Sequence, residues 1–180
     1  LRYVSRLCVG CGQCASECPR QVHRFSDGSH RVDFSACTAC GACTDSCPSG
    51  ALQLTGYEAH PRQIMEVVLK DRRYYGTDGG LTVSGGEPTL QPDFLLELLS
   101  LARREQIHTC LETNGYIPAH ILEKLLPFTD LFLLDYKLTD PAALQRHTKA
   151  CGPRWEHTLE RLQEASKPVV LRLPIIPGIN

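Results

Sequence analysis

Cys8-Val9-Gly10-Cys11-Gly12-Gln13-Cys14-Ala15-Ser16-Glu17-Cys18-Pro19 is followed, 29 residues on, by Cys37-Thr38-Ala39-Cys40-Gly41-Ala42-Cys43-Thr44-Asp45-Ser46-Cys47-Pro48. Every cysteine of the first stretch meets a cysteine of the second at that offset, so the region is a duplicated unit. Each copy reads Cys-x-x-Cys-x-x-Cys-x-x-x-Cys-Pro. Three closely spaced thiolates can wrap three corners of an iron-sulfur cubane from one loop, and in this bacterial spacing the last cysteine of each copy serves the other cluster. Cys8, Cys11, Cys14 and Cys47 are therefore expected to hold one 4Fe-4S cluster, and Cys37, Cys40, Cys43 and Cys18 a second. Pro19 and Pro48 turn the chain away after the crossing ligand, and Gly10, Gly12 and Gly41 permit the tight loops. Val9, Ala15, Ala36, Ala39, Ala42 and Ala51 are small or apolar, as residues against a cluster should be.

Two other uses of cysteine fit less well. A disulfide framework belongs in a secreted chain, and no secretory signal precedes these residues. Zinc ribbons pair Cys-x-x-Cys but have no need of a third and fourth cysteine followed by proline. Cys110 and Cys151 match no ligand spacing and read as ordinary buried thiols. His23, His30, His60, His108, His120, His147 and His157 show no metal spacing either and carry no assigned role.

Outward from the repeat, the 180 residues are 42% hydrophobic and 22% charged, a globular composition sufficient for one ordinary domain and a small one. A net charge of -1 creates no field that would draw the chain to nucleic acid or an anionic membrane. No apolar run is long enough to span a bilayer and no signal peptide is recognisable, so the expected location is cytoplasmic. The chain starts at Leu1 and stops just after an apolar run, Val169 to Leu173, that reads as a buried strand. Both ends look cut, and the expectation is a piece of a longer protein.

Residues 1–58 are turn-rich and hold eight of the ten cysteines, forming a ferredoxin-type α+β domain with two clusters. Residues 59–180 alternate between helix and strand periods. Helices are expected after His60-Pro61, from Pro92, over 118–126, from Asp140-Pro141 and around Trp155, Leu159 and Leu162. Strands are expected at 81–84, 108–112, 131–134 and 169–173. Leu131 to Leu134 are apolar on both faces, as in a parallel strand covered on both sides. The fold class is thus α/β, a parallel sheet or barrel that follows the dicluster ferredoxin-type domain.

Polar and glycine residues gather after each strand: Gly85-Gly86-Glu87-Pro88, Glu112-Thr113-Asn114-Gly115, Asp135-Tyr136-Lys137 and Pro177-Gly178. In parallel barrels that rim is where active sites form, which makes it the expected place for a ligand with a cationic end and a carboxylate. Glycine pairs allow close backbone approach, Lys137 offers a point charge, and Glu112 and Asp135 on adjacent strands can hold a small cation between them.

The segments Leu81 to Gln91 (LTVSGGEPTLQ), Glu112 to Tyr116, Asp135 to Lys137 and Arg172 to Gly178 (RLPIIPG) resemble the radical S-adenosylmethionine activating enzymes of glycyl radical enzymes. The resemblance covers nearly the whole chain. It is greatest to members similar to pyruvate formate-lyase activating enzyme that carry a two-cluster ferredoxin insert between the first strand and first helix of the barrel, and it implies a partial parallel (β/α) TIM-like barrel into which the dicluster ferredoxin domain is inserted. It implies that Gly85, Gly86 and Glu87 bind the methionyl amino group and that Asp135, Tyr136 and Lys137 contact the cofactor's carboxylate. It also implies a monovalent cation held by Glu112, Thr113, the Leu133 carbonyl and Asp135, with Glu112 standing where aspartate is more usual. The family's radical site, Cys-x-x-x-Cys-x-x-Cys, is missing: Cys14-x-x-x-Cys18 runs on to Gln21 and Cys43-x-x-x-Cys47 to Gly50. The third 4Fe-4S cluster is thus expected upstream of Leu1, the family's late histidine beyond Asn180, and the chain alone is expected to be inactive.

For the intact protein the resemblance implies an oxidoreductase. It reduces S-adenosylmethionine to methionine and a 5'-deoxyadenosyl radical, which takes the α-hydrogen of a glycine in a partner glycyl radical enzyme. Flavodoxin or ferredoxin is the implied electron donor to the insert's clusters. The alternative is a non-catalytic electron-transfer protein, a ferredoxin fused to a degenerate barrel.

Overall fold

The computed structural model describes residues 1–77, 79–148 and 154–179; Cys151 lies outside them. The chain divides into two compact units, Leu1–Glu58 and Ala59–Asn180.

In the first unit, strand β1 (Arg2–Tyr3) pairs antiparallel with β4 (Leu52–Gln53), placing Tyr3 opposite Leu52. Between them run helix α1 (Gln13–Glu17), the hairpin of β2 (His23–Ser26) and β3 (Ser29–Val32), and helix α2 (Ala42–Asp45). The duplication is visible in the backbone. Gly12 and Gly41, 29 apart, cap the two short helices at φ +78° and +89°, a left-handed conformation that favours glycine. The hairpin turns on Asp27-Gly28, both at positive φ, the pair that a two-residue turn between twisted strands prefers. The buried apolar set is small: Cys14, Val22, Cys43, Ala51 and Leu52.

The second unit is a four-stranded parallel sheet in the order β5 (Gly80–Val83), β6 (His108–Thr113), β7 (Leu131–Asp135), β8 (Val169–Arg172). Helices α3 (Pro61–Lys70), α4 (Pro92–Arg104), α5 (Ala119–Leu125), α6 (Pro141–Thr148) and α7 (Arg154–Glu164) connect and cover it. Their starts have physical signals: Pro61 and Pro92 stand in the first helical turn, and His60 and Gln63 form a reciprocal capping box on α3. The Asp140 carboxylate accepts from the Ala142 and Ala143 amides at the start of α6. α3 ends at Lys70, where the Asp71 amide donates back to the Val68 carbonyl. Arg72, drawn to the Glu105 carboxylate (3.0 Å) and carbonyl (2.7 Å), tightens the next residues into a 3-10 turn.

Val83, Leu111, Phe132 and Val169 are register partners across all four strands. They form the row against which Leu95 and Leu99 of α4, Leu122 and Leu125 of α5 and Leu162 of α7 pack. Phe132 and Leu134 are wholly buried, whereas Leu131 and Leu133, pointing the other way, are only half-buried. The expectation of cover on both faces of this strand fails for a simple reason: the core lies on the helical side. Glu112, Asp135 and Arg172 share the opposite face, at the strands' carboxyl ends. No helix among the described residues is long and apolar enough to cross a membrane.

Candidate functional site

The eight cysteines of the repeat sort into two cavities of nearly equal size. The first, about 290 Å³, is lined by Cys8, Cys11, Cys14 and Cys47, with Val9 and Ala51. The second, about 310 Å³, is lined by Cys37, Cys40, Cys43 and Cys18, with Ala39 and Gly41. Three thiols of each set come from one copy, and the fourth is the last cysteine of the other. Of the residues expected against a cluster, Val9, Ala39 and Ala51 line the cavities, while Ala15, Ala36 and Ala42 do not.

The described cysteines are all free thiols, and neither cavity is lined by a carboxylate. Burial pushes the Cys14 thiol up to about 11, helped by the negative charges of Cys11, Cys43 and Cys8. Cys43 is raised by burial and by Cys18, its crossing neighbour, then by Cys37 and Cys40. Four thiols converging on one cavity are the donor set of an iron-sulfur or metal-thiolate centre, whose cations offset the mutual repulsion of the thiolates. Backbone amides already aim at sulfur: Ala39 N–H donates to Cys37 Sγ at 3.3 Å. At Cys47, burial raises the thiol, but the Leu52 amide, the Ser49 hydroxyl and the Ala51 and Ser49 amides outweigh it and hold the thiol below its ordinary value.

His30 and Phe25, which the spacing of the sequence did not single out, stand at the first cavity, with His23 and Tyr3 against them and Cys8. His30 places Nδ1 3.5 Å from Cys8 Sγ and Nε2 3.8 Å from Cys14 Sγ, and Phe25 stacks on its ring at 4.3 Å. His23 Nδ1 is 3.0 Å from His30 Nε2. Burial lowers both imidazoles, and His30 lowers His23 further. Tyr3 is hydrogen-bonded to Cys8; burial first, then that bond and the charges of Cys8 and Cys14, push its hydroxyl up to about 12. The sequence signal that could have found them is the hairpin turn at Asp27-Gly28, which brings Phe25 and His30 onto the cavity wall with His23 against His30.

At the strand ends of the second unit, Gly85, at φ +136°, and Gly86 are exposed, and the places where their Cβ atoms would stand are open, a cradle that a ligand can approach closely. Glu87 does not face that opening freely. Its Oε1 accepts from the Thr89 hydroxyl (2.7 Å), the Thr89 amide (3.2 Å) and the Thr113 hydroxyl (2.8 Å), and its Oε2 accepts from the Asn114 amide (2.8 Å). The carboxylate thereby ties the end of β5 to the end of β6. Thr113 is turned to Glu87 and away from Glu112.

Glu112 and Asp135 do converge, around Arg172: the guanidinium lies 2.5 Å from Glu112 Oε1 and 3.6 Å from Asp135 Oδ1. Lys137 Nζ is 3.2 Å from Asp135 Oδ2. The Asp135 carbonyl accepts from Trp155 Nε1 at 2.9 Å, and Tyr136 lies 4.9 Å from the Trp155 ring while its amide donates to the Arg172 carbonyl. The positive charge between the two carboxylates is therefore a protein side chain. Arg172 could be found only from strand register, because it lies 37 residues beyond Asp135 in the chain.

Residues 35–180 match the Radical SAM superfamily, and residues 7–52 match the 4Fe-4S dicluster domain. The chain is 37% identical to the (2S)-3-sulfopropanediol dehydratase activating enzyme of Klebsiella oxytoca, over 94% of this chain and 55% of that protein. It is 37% identical to the choline trimethylamine-lyase activating enzyme of Oleidesulfovibrio alaskensis, over 99% and 59%. To the benzylsuccinate synthase activating enzyme of Thauera aromatica it is 35% identical, over 96% and 54%. A crystal structure of a domain of pyruvate-formate lyase-activating enzyme from Bacteroides vulgatus superposes with a TM-score of 0.52 at 29% identity, covering 56% of this chain and 63% of that one. The chain thus spans a little over half the length of these curated relatives.

Proposed function

The chain belongs to the radical SAM superfamily, and we propose that it is the dicluster-bearing part of an activating enzyme that installs a radical on a glycine of a partner protein. The observation that carries this reading is identity of 35–37% along nearly the whole chain to proteins named as activating enzymes of a dehydratase, a lyase and a synthase. The donor chemistry of the cavities supports two 4Fe-4S clusters, one on Cys8, Cys11, Cys14 and Cys47 and one on Cys37, Cys40, Cys43 and Cys18. When bound in the intact protein, S-adenosylmethionine and a further cluster would supply the chemistry: one-electron reduction would give methionine and a 5'-deoxyadenosyl radical, which would become 5'-deoxyadenosine on taking the glycine hydrogen.

The residues of this chain position and recognise. Gly85 and Gly86 leave backbone groups open to the methionyl amino group, and Glu87 fixes that loop through Thr113 and Asn114. Asp135, Tyr136 and Lys137 face the methionyl carboxylate, with Lys137 as the matching charge. A monovalent cation on Glu112 and Asp135 competes with Arg172 for the same oxygens. A flavodoxin or ferredoxin is the electron donor, a glycyl radical enzyme the protein partner, and the cytoplasm the site of action.

The experiment is anaerobic reconstitution of the 180-residue chain and of the full gene product, each supplied with dithionite and S-adenosylmethionine. The expected result is about eight irons per chain in the fragment without methionine release, and methionine with 5'-deoxyadenosine from the full product. A full gene product that binds clusters but cleaves no S-adenosylmethionine under reduction overturns the reading.

A further inference from the structure

The duplication gives each cavity a reference. A residue beside one cavity has a counterpart 29 positions away, and most pairs hold like residues: Cys8 and Cys37, Gly12 and Gly41, Cys14 and Cys43. Polar rings break the likeness. His30 at the first cavity corresponds to Leu1, which lines the second, and Tyr3, bonded to Cys8, corresponds to Val32. No imidazole or phenol lines the second cavity among the described residues. Its one ionic side chain there, Arg20, is exposed, so solvent screens it.

The direction of the hydrogen bonds follows from one orphan atom. His23 Nε2 is buried and has no partner. An unpaired buried N–H is rarer and costlier than an unpaired lone pair, so in the neutral pair the proton of His23 sits on Nδ1 and is donated to His30 Nε2, 3.0 Å away. That leaves the His30 proton on Nδ1, directed at Cys8 Sγ at 3.5 Å. The stacked Phe25 ring, 7° from coplanar, holds the imidazole in that orientation. Cys8 thus receives an N–H from His30 in addition to the bond with Tyr3.

We propose that His30 is a positioning residue which, oriented by His23 and Phe25, donates a hydrogen bond to the Cys8 thiolate and makes the first cluster easier to reduce than the second. This rests on the two-cluster reading above. Hydrogen bonds to cluster sulfur are one of the factors that set reduction potential, because they stabilise the more negative, reduced state. An electron entering the pair settles at the Cys8 side.

The test compares the anaerobically reconstituted wild-type chain with His30→Phe, His23→Leu and Tyr3→Phe, using iron content and stepwise dithionite reduction followed by EPR. Wild type is expected to hold about eight irons and to show two resolved midpoints. His30→Phe should move the higher midpoint to more negative potential and leave the other in place, with iron content unchanged. Tyr3→Phe should give a smaller shift of the same sign in the same signal. Wild type with about four irons overturns the two-cluster reading and the proposal with it. With the iron complete, an unmoved pair of midpoints in His30→Phe overturns the proposal alone. Should His30→Phe lose iron, His23→Leu decides: it keeps the His30 ring but removes what fixes its proton. A smaller negative shift of one midpoint supports the proposal, and none overturns it.

Discussion

In residues 59–180, Leu95, Leu99, Leu111, Ile117, Leu122, Leu125, Phe132 and Leu162 are buried to within about a hundredth of their surface, and they meet in one cluster. In residues 1–58 the corresponding cluster is Leu52 with two thiols, Cys14 and Cys43. The first arrangement stabilises through apolar surface removed from water, roughly 1.5–3 kcal/mol for each fully buried large side chain. The second has too little of that surface to offset chain entropy, as small domains generally do, and metal-thiolate bonds must supply the remainder. The two units teach the same lesson from opposite sides: where the core is apolar the fold precedes the ligand, and where the core is sulfur the ligand is part of the fold.

The largest expected effect breaks the comparison outright if it is absent. Iron removal by an anaerobic chelator should abolish amide hydrogen-exchange protection throughout 1–58 while the protection of β5 to β8 persists; equal persistence in both units would show that the first needs no metal. Next, Leu111→Ala, at a fully buried position in β6, should cost about 2–5 kcal/mol in denaturant unfolding of the second unit. Iron content should not change.

Glu87→Gln should have a smaller effect, about 1–3 kcal/mol, because the new amide group presents a donor where Thr113 or Asn114 already donates. The loss should appear as earlier exchange of the Asn114 amide. The smallest effect concerns pH. Partial burial pushes the Asp130 carboxyl up, but the Thr109 amide and hydroxyl, then the charges of His108 and Arg103, outweigh it and hold it below the usual carboxylate range. A lowered folded value means the contribution is complete above the unfolded pKa of about 3.9 and is lost as pH falls through the folded value. Asp130→Asn should flatten the acid limb of the second unit's stability profile and leave neutral-pH iron binding intact.

How much could be read in advance differed between the two units for a physical reason. The partition of the cysteines rests on spacing along the chain, a local property, and the helices and strands of 59–180 rest on periodicity, also local. The rim was legible as a set of strand ends, since glycine and acidic residues follow each apolar run. What was not legible depends on pairing between distant strands. Arg172 reaches Glu112 and Asp135 only because β8 lies in register beside β7. Glu87 is turned inward because it caps the 3-10 turn Pro88–Leu90 and meets Thr113 from the neighbouring strand. His23 and His30 have no ligand spacing, and only the hairpin turn brings them together.

The exchange of the fourth thiol between the copies sets an order of manufacture. As the chain leaves the ribosome, Cys8, Cys11 and Cys14 emerge first, yet their cavity stays one wall short until Cys47 follows. The second cavity already has Cys18 waiting and closes at Cys43, four residues earlier. Both compartments are therefore completed almost together, late in the synthesis of this unit. A nascent chain interrupted before Cys43 owns neither, so iron delivered during translation finds complete sites only once the last cysteines of the unit have emerged.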